Sequence, residues 1–323
     1  MTRVVLALLA ALALASCGGD DDPGSGDAPR PVDLALDFTP NPVHAPVFAA
    51  ARTGADRDNG VRLRIREPGE GPNALKLVAS GRALLGLLDI HDLAIAREQG
   101  VDVVAVAALV QKPLAALLTD PSVRRPRDLA GRTVGVSGLP SDPAFVRAIV
   151  EHDGGEYDRI EQVTIGFKAV SALLSRRVDA VPAFWNAEGV ALEERGRKVR
   201  QFRVEDYGAP AYPEVVVIAS RRALRERRAD IAAAVRAIAA GVEAVEDDPG
   251  AAVSELARAS AADESLVRAQ LDAVLPLFRP AVRLDRAVLE DWARFDEEVG
   301  IVERRPDVGA AFDFRISGGA PGS

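Results

Sequence analysis

Residues 34–51 read LALDFTPNPVHAPVFAAA, and the reading of this stretch decides the fold. Leu34, Leu36 and Phe38 alternate with smaller or polar residues, a period of two that predicts a short strand. Pro40 and Pro42 then exclude both a β-ladder and a helix. Helix-favouring residues resume over 45–52, with Gly54 as a stop. Strand, rigid turn and helix open an α/β unit, and ligands of open α/β sheets sit beyond the carboxyl ends of the strands. Phe38, Thr39, Asn41 and His44 would crowd that mouth. The same residues also admit a purely structural reading, with Phe38 in the core, Asn41 forming the turn and His44 capping the helix.

The string DFTPNPVHAPVFAA resembles the first loop of bacterial solute-binding proteins related to the thiamine-pyrimidine-precursor (NMT1/THI5-like) family. There an aromatic residue follows the first strand, then a TPN-type turn, then a His ahead of a small-residue helix. Phe38 stands where many members carry Trp.

A chain of 323 residues can form one large domain or two modest lobes. Its 48% hydrophobic and 27% charged content suits a protein that buries a full core. The formal charge of −8 becomes −9 if Arg3 leaves with a leader, and no basic excess supports nucleic-acid binding. Cys17 is the only cysteine, which excludes intrachain disulfides and cysteine-based metal sites. His44, His91 and His152 are far apart, and neither HExxH nor a P-loop occurs, so no metal or cofactor is expected.

Residues 1–16 carry one early charge, Arg3, and an apolar run over 4–15 that is short for a membrane span and fits a secretory signal peptide. Leu14-Ala15-Ser16-Cys17 resembles a bacterial lipobox, which would make Cys17 a lipidated N-terminus; the alternative is an ordinary leader that contains a cysteine. Gly, Pro and Asp dominate 18–31, as in a disordered tether.

Strands are predicted at 61–66, 84–90 and 101–110, with helices at 72–80 and 91–99 between them. This βαβα alternation predicts a mostly parallel sheet with helices on both faces. Asp89, at a strand end, would either face the cleft or cap the next helix. The order of SGRALLGLLD and EQGVDVVAVAAL, and the PRDLAG passage that opens the next unit, also resemble binding proteins of this kind. The loop SGLPSDP over 137–143 leads into a helix over 144–151. Ser141 or Asp142 would cap it, or the free N–H groups of its first turn would meet an anionic or carbonyl part of a ligand.

Further strands are predicted at 162–167 and 179–185, and a helix starts at Asn186. Within AFWNAEGVALEERG, Asn186 and Glu188 read as an N-cap and a dipole-compensating acid beside a core Trp185. The FWNxEG string also resembles the thiamine-precursor-binding branch, which would place Trp185, Asn186 and Glu188 in a pocket. The connector DYGAPAYP carries Tyr212 towards both hinge and ligand before an apolar strand over 215–219. Ala-rich helices then coat the first lobe.

These readings converge on an α/β, two-lobe periplasmic-binding fold of the type with two crossovers and a ligand cleft between lobes. Residues 32–115 with 215–323 form one lobe and 116–214 the other. The resemblance implies an extracytoplasmic, lipid-anchored receptor for an aminopyrimidine, serving an ABC permease and ATPase. Phe38, Trp185 and Tyr212 would stack on the ring, Glu188 would accept from it, and Asn41, His44 and Asn186 would orient it. Competing readings are a receptor for riboflavin, another flat ring or a sulfonate, and a pyrimidine-synthase-like enzyme with His44 as its reactive residue. The Cys-rich iron-binding string of those synthases is absent here, so no enzyme activity is expected.

Overall fold

Ten strands divide into two sheets in a computed structural model that describes residues 28–69 and 73–317. The strands are β1 (Arg30–Ala35), β2 (Val61–Arg66), β3 (Leu85–Asp89), β4 (Val103–Val110), β5 (Ala115–Thr119), β6 (Thr133–Val136), β7 (Glu161–Thr164), β8 (Ala180–Phe184), β9 (Arg200–Arg203) and β10 (Val215–Ser220). The first sheet runs β2-β1-β3-β10-β4 and the second β7-β6-β8-β5-β9. The leader, Cys17 and most of the tether lie outside the described residues.

Every residue of β4 (VVAVAALV) and of β5 (AALLT) is buried, as expected of strands covered on both faces. β1 ends earlier than its alternation predicts, so Asp37 and Phe38 lie in the loop beyond it rather than in the ladder. In each sheet four of the five strands share one direction, as the mostly parallel prediction has it, and one strand is reversed. β10 runs antiparallel to β3 and β4, and β5 antiparallel to β8 and β9. Both strands follow a crossover from the other lobe, so they enter their sheets from the cleft end, against the direction of their neighbours. The strands β1, β3, β6, β7 and β8 end at the cleft.

Two contacts fix the cleft loops. The helix Ala45–Thr53, which follows the Pro40–Pro42 turn, packs closely on the helix Arg228–Asp247 of the same lobe. Across the lobes, Gln270 in the helix Glu264–Val274 donates Nε2–H to the Ala187 carbonyl at 2.8 Å, with both residues buried.

Candidate functional site

The loops beyond five strand ends enclose a cavity of about 270 Å³. Asp37, Phe38 and Asn41 come from the loop after β1, Asp89, His91 and Asp92 from the end of β3, and Ser137, Ser141 and Asp142 from beyond β6. Phe167 follows β7, and Phe184 and Glu188 close β8. The volume is near the low end of small-molecule pockets, roughly 300–1,000 Å³.

The first loop is held from within. Asn41 Oδ1 accepts from the Val43 N–H at 2.9 Å, which caps the short turn Pro42–His44. The Asn41 N–H donates to His44 Nδ1 at 3.2 Å, so the imidazole proton sits on Nε2 and is donated to Asp37 Oδ1 at 2.9 Å. His44 is thus a buried strut that aims Asp37 and Phe38 at the cavity. Phe38 meets Phe167 of the other lobe with ring centroids 4.1 Å apart and tilted by 51°.

Acids dominate the charged lining: among the described residues, Asp37, Asp89, Asp92, Asp142 and Glu188 stand against only Lys76 and His91. Glu188 Oε2 accepts from the Phe184 N–H at 3.2 Å, and burial lifts its pKa to about 7. Burial also raises Asp89 to about 8, against the attraction of His91 and with Glu214 adding to the rise. His91 behaves oppositely. Burial opposes its charge, but Asp296, 2.7 Å from Nδ1, holds its pKa up at about 10. Asp92, pushed well up by burial and by the nearby Asp89, accepts from the Ser141 N–H across the cleft at 3.0 Å.

Several predicted site residues lie elsewhere. Trp185 is turned to the hinge: its indole N–H reaches the Pro113 carbonyl at 3.4 Å and the Arg203 guanidinium lies 4.0 Å from its ring centroid. Asn186 is fully buried, and its amide has no partner among the described residues. It is not an N-cap, because the chain leaves β8 through a wide π-type turn, Trp185–Gly189, before the helix Val190–Glu194. That extra residue in the turn sends Trp185 and Glu188 to different sides. Tyr212 is buried behind the cavity wall, edge-on to His91 at 4.8 Å. Thr39 is exposed and contributes only its carbonyl, to Asn41 Nδ2. Neither Ser141 nor Asp142 caps the helix Asp142–His152 through its side chain. Asp142 folds back onto the Ser137 hydroxyl and the Gly138 N–H of the preceding loop, while the Asp92 carboxylate takes the Ser141 N–H that opens the helix. Asp89 fulfils both of its readings, capping His91 N–H at 2.7 Å and lining the cavity.

Asp37, Asp92, Phe167 and Phe184 were not singled out from sequence. Phe167 was legible: it ends a predicted strand ahead of a helix, the same position that marked Phe38.

Stability is expected to fall as pH rises from about 5 to about 10. Asp89 and Glu188 are raised from 3.8 and 4.5 to about 8 and about 7, and His91 from 6.5 to about 10. The folded state therefore binds these protons more tightly, and that contribution is lost as pH passes upward through the folded values. Asp120, Glu246 and Asp313 are lowered and act in the opposite sense only below their ordinary range. Thermal melts across this range check it; a melting temperature that rises with pH would contradict it.

Two open α/β lobes whose strand ends line one shared cavity define the periplasmic-binding-protein fold. Structural comparison agrees: the alkanesulfonate-binding protein SsuA from Xanthomonas axonopodis pv. citri, bound to MOPS, superposes with a TM-score of 0.72 at 17% identity, covering 89% of this chain and 99% of that one. The chain belongs to the NMT1/THI5-like family, whose model matches residues 41–252. It is 32% identical over 257 residues to a formylaminopyrimidine-binding protein of Halalkalibacterium halodurans, covering 79% of this chain and 78% of the relative. It is also 24% identical over 232 residues to a 4-amino-5-hydroxymethyl-2-methylpyrimidine phosphate synthase of Uromyces fabae, covering 68% of this chain and 67% of the relative.

Proposed function

We propose that this chain is the extracytoplasmic solute-binding lipoprotein of an ABC importer and captures a thiamine-related aminopyrimidine by lobe closure. The observation that carries the reading is the cavity lining, where aromatic rings from both lobes meet a surplus of carboxylates. A flat ring suits Phe38, Phe167 and Phe184, and amino groups suit Glu188, Asp89 and Asp37 as acceptors. The named binding function of the Halalkalibacterium halodurans relative supports the same ligand class. A sulfonate would meet carboxylates where it needs donors, and the Ser141 N–H that opens the helix Asp142–His152 is already taken by Asp92. The permease, the ATPase and lipidation of Cys17 complete the proposal.

The synthase reading is disfavoured by His44. Both ring nitrogens are engaged inside the loop, by Asn41 and Asp37, and the side chain is buried away from the cavity.

Titration calorimetry with 4-amino-5-aminomethyl-2-methylpyrimidine and its N-formyl derivative tests the ligand class. Saturable one-to-one binding is expected, without turnover when pyridoxal phosphate, iron and oxygen are supplied. Binding of neither compound would remove the ligand class, and product formation would favour the synthase reading. Intact mass of the membrane-extracted protein decides whether Cys17 carries lipid.

A further inference from the structure

Glu214 lies on the returning crossover, one residue before β10, and is fully buried. Its Oε2 accepts from the backbone N–H of Leu114, the last residue of the outgoing crossover, and, at 3.2 Å, from that of Ala115, the first of β5. Its own carbonyl accepts from the Ile90 N–H at 3.1 Å, and Val215 is the ladder partner of Asp89. One side chain therefore ties both crossovers together beside the end of β3. The second carboxyl oxygen, Oε1, is buried with no partner among the described residues. The neighbouring side chain is Asp89, a cavity-lining acid. Glu214 and the half-buried Asp89 repel each other, a repulsion that the charged His91 beside them offsets only in part, since both stay raised; a proton between them removes it and would satisfy Oε1.

We propose that Asp89 and Glu214 share one proton, which makes Glu214 a positioning residue that couples the clasp on Leu114 and Ala115 to the acid facing the ligand. Asp89 donates its O–H to Glu214 Oε1 and keeps lone pairs for the cavity. Burial holds Asp89 up at about 8 and raises Glu214 as well. The other titratable groups facing the pair are His91, Asp92, Tyr212 and Asp296. His91 keeps its charge to about 10, and Tyr212 is raised well above its ordinary value, so neither titrates where the pair does. Losing the shared proton sets two carboxylates against each other and loosens Glu214 from the Leu114 and Ala115 amides. The clasp stands on its own geometry; its effect on ligand affinity rests on the reading of the cleft as a pyrimidine site.

Backbone amide exchange at Leu114 and Ala115, followed by NMR on the ligand-free protein and corrected for intrinsic base catalysis, reads the clasp directly. Protection is expected to drop by about tenfold between about pH 7 and about pH 9 in the wild type. In Glu214→Gln it is expected to stay constant, because the amide oxygen accepts from the same two N–H groups and the amide N–H donates to Asp89. Asp89→Asn should give the same flat profile by donating to Glu214, and it serves if Glu214→Gln does not fold. Protection that is independent of pH in the wild type, or that falls equally in both variants, overturns the shared proton. Calorimetry with the N-formyl pyrimidine should show affinity falling above about pH 8 in the wild type and not in Glu214→Gln. Amide protection that behaves as expected without any pyrimidine binding upholds the clasp and removes only the ligand reading.

Discussion

Gly241→Ala is expected to destabilise the protein by about 3 kcal/mol or more, at the upper end of overpacking effects. In an ordinary helix interior the same change would stabilise by roughly 1 kcal/mol, so even the sign is informative. Gly241 is where the helix Arg228–Asp247 crosses the helix Ala45–Thr53. A Cβ there would lie 2.0 Å from the Pro46 carbonyl oxygen, 2.9 Å from its carbon and 3.1 Å from the Ala50 nitrogen. All three atoms belong to backbone, so no side chain can rotate to make room. The helices must separate, and the displaced one begins immediately after the loop that carries Phe38 and Asn41. Pyrimidine affinity should therefore fall along with stability. Denaturant unfolding measures the first effect; a variant as stable as the wild type would refute the close crossing.

Glu188→Gln is expected to weaken aminopyrimidine binding by about 2 kcal/mol, more than tenfold, with little loss of stability. The carboxylate offers two acceptors: Oε2 is engaged by the Phe184 N–H, which leaves Oε1 for the ligand. A glutamine has one. Its oxygen stays on the buried backbone donor, and its NH₂ then faces the cavity, donor against donor. A pH signature accompanies the loss. Ligand N–H groups favour the ionised acid, so wild-type affinity should rise as pH passes upward through about 7, the value to which burial lifts Glu188. Calorimetry between about pH 5.5 and about pH 7.5 should show that limb in the wild type and not in Glu188→Gln. Equal affinities would assign Glu188 to holding Phe184 alone.

Elements were more legible in the sequence than directions. Pro40, Pro42 and the periodic runs around them reported the first loop, because backbone chemistry is local. The orientation of β5 and β10 was not local: it depends on where each crossover delivers the chain. The string FWNAEG marked a cavity wall, since Phe184 and Glu188 both line it, yet Trp185 and Asn186 do not. One residue more in the turn decides which side chain faces inward, and a one-letter string does not carry that. Asp92 and Glu214 had no signal at all, because a carboxylate satisfied by backbone N–H groups from another lobe or crossover looks like any surface acid until those segments meet.

If the cleft takes a solute as proposed, three of its cross-lobe contacts, Phe38 on Phe167, Asp92 on the Ser141 N–H and Gln270 on the Ala187 carbonyl, bear on time as well as affinity. Each must part before an occupant can leave, whatever its own bonds to the walls. Entry needs only that the lobes be apart when a solute arrives. Escape waits on the rarer event of a filled cleft reopening. Differences among chemically similar solutes should therefore appear in dwell time, with nearly uniform capture rates.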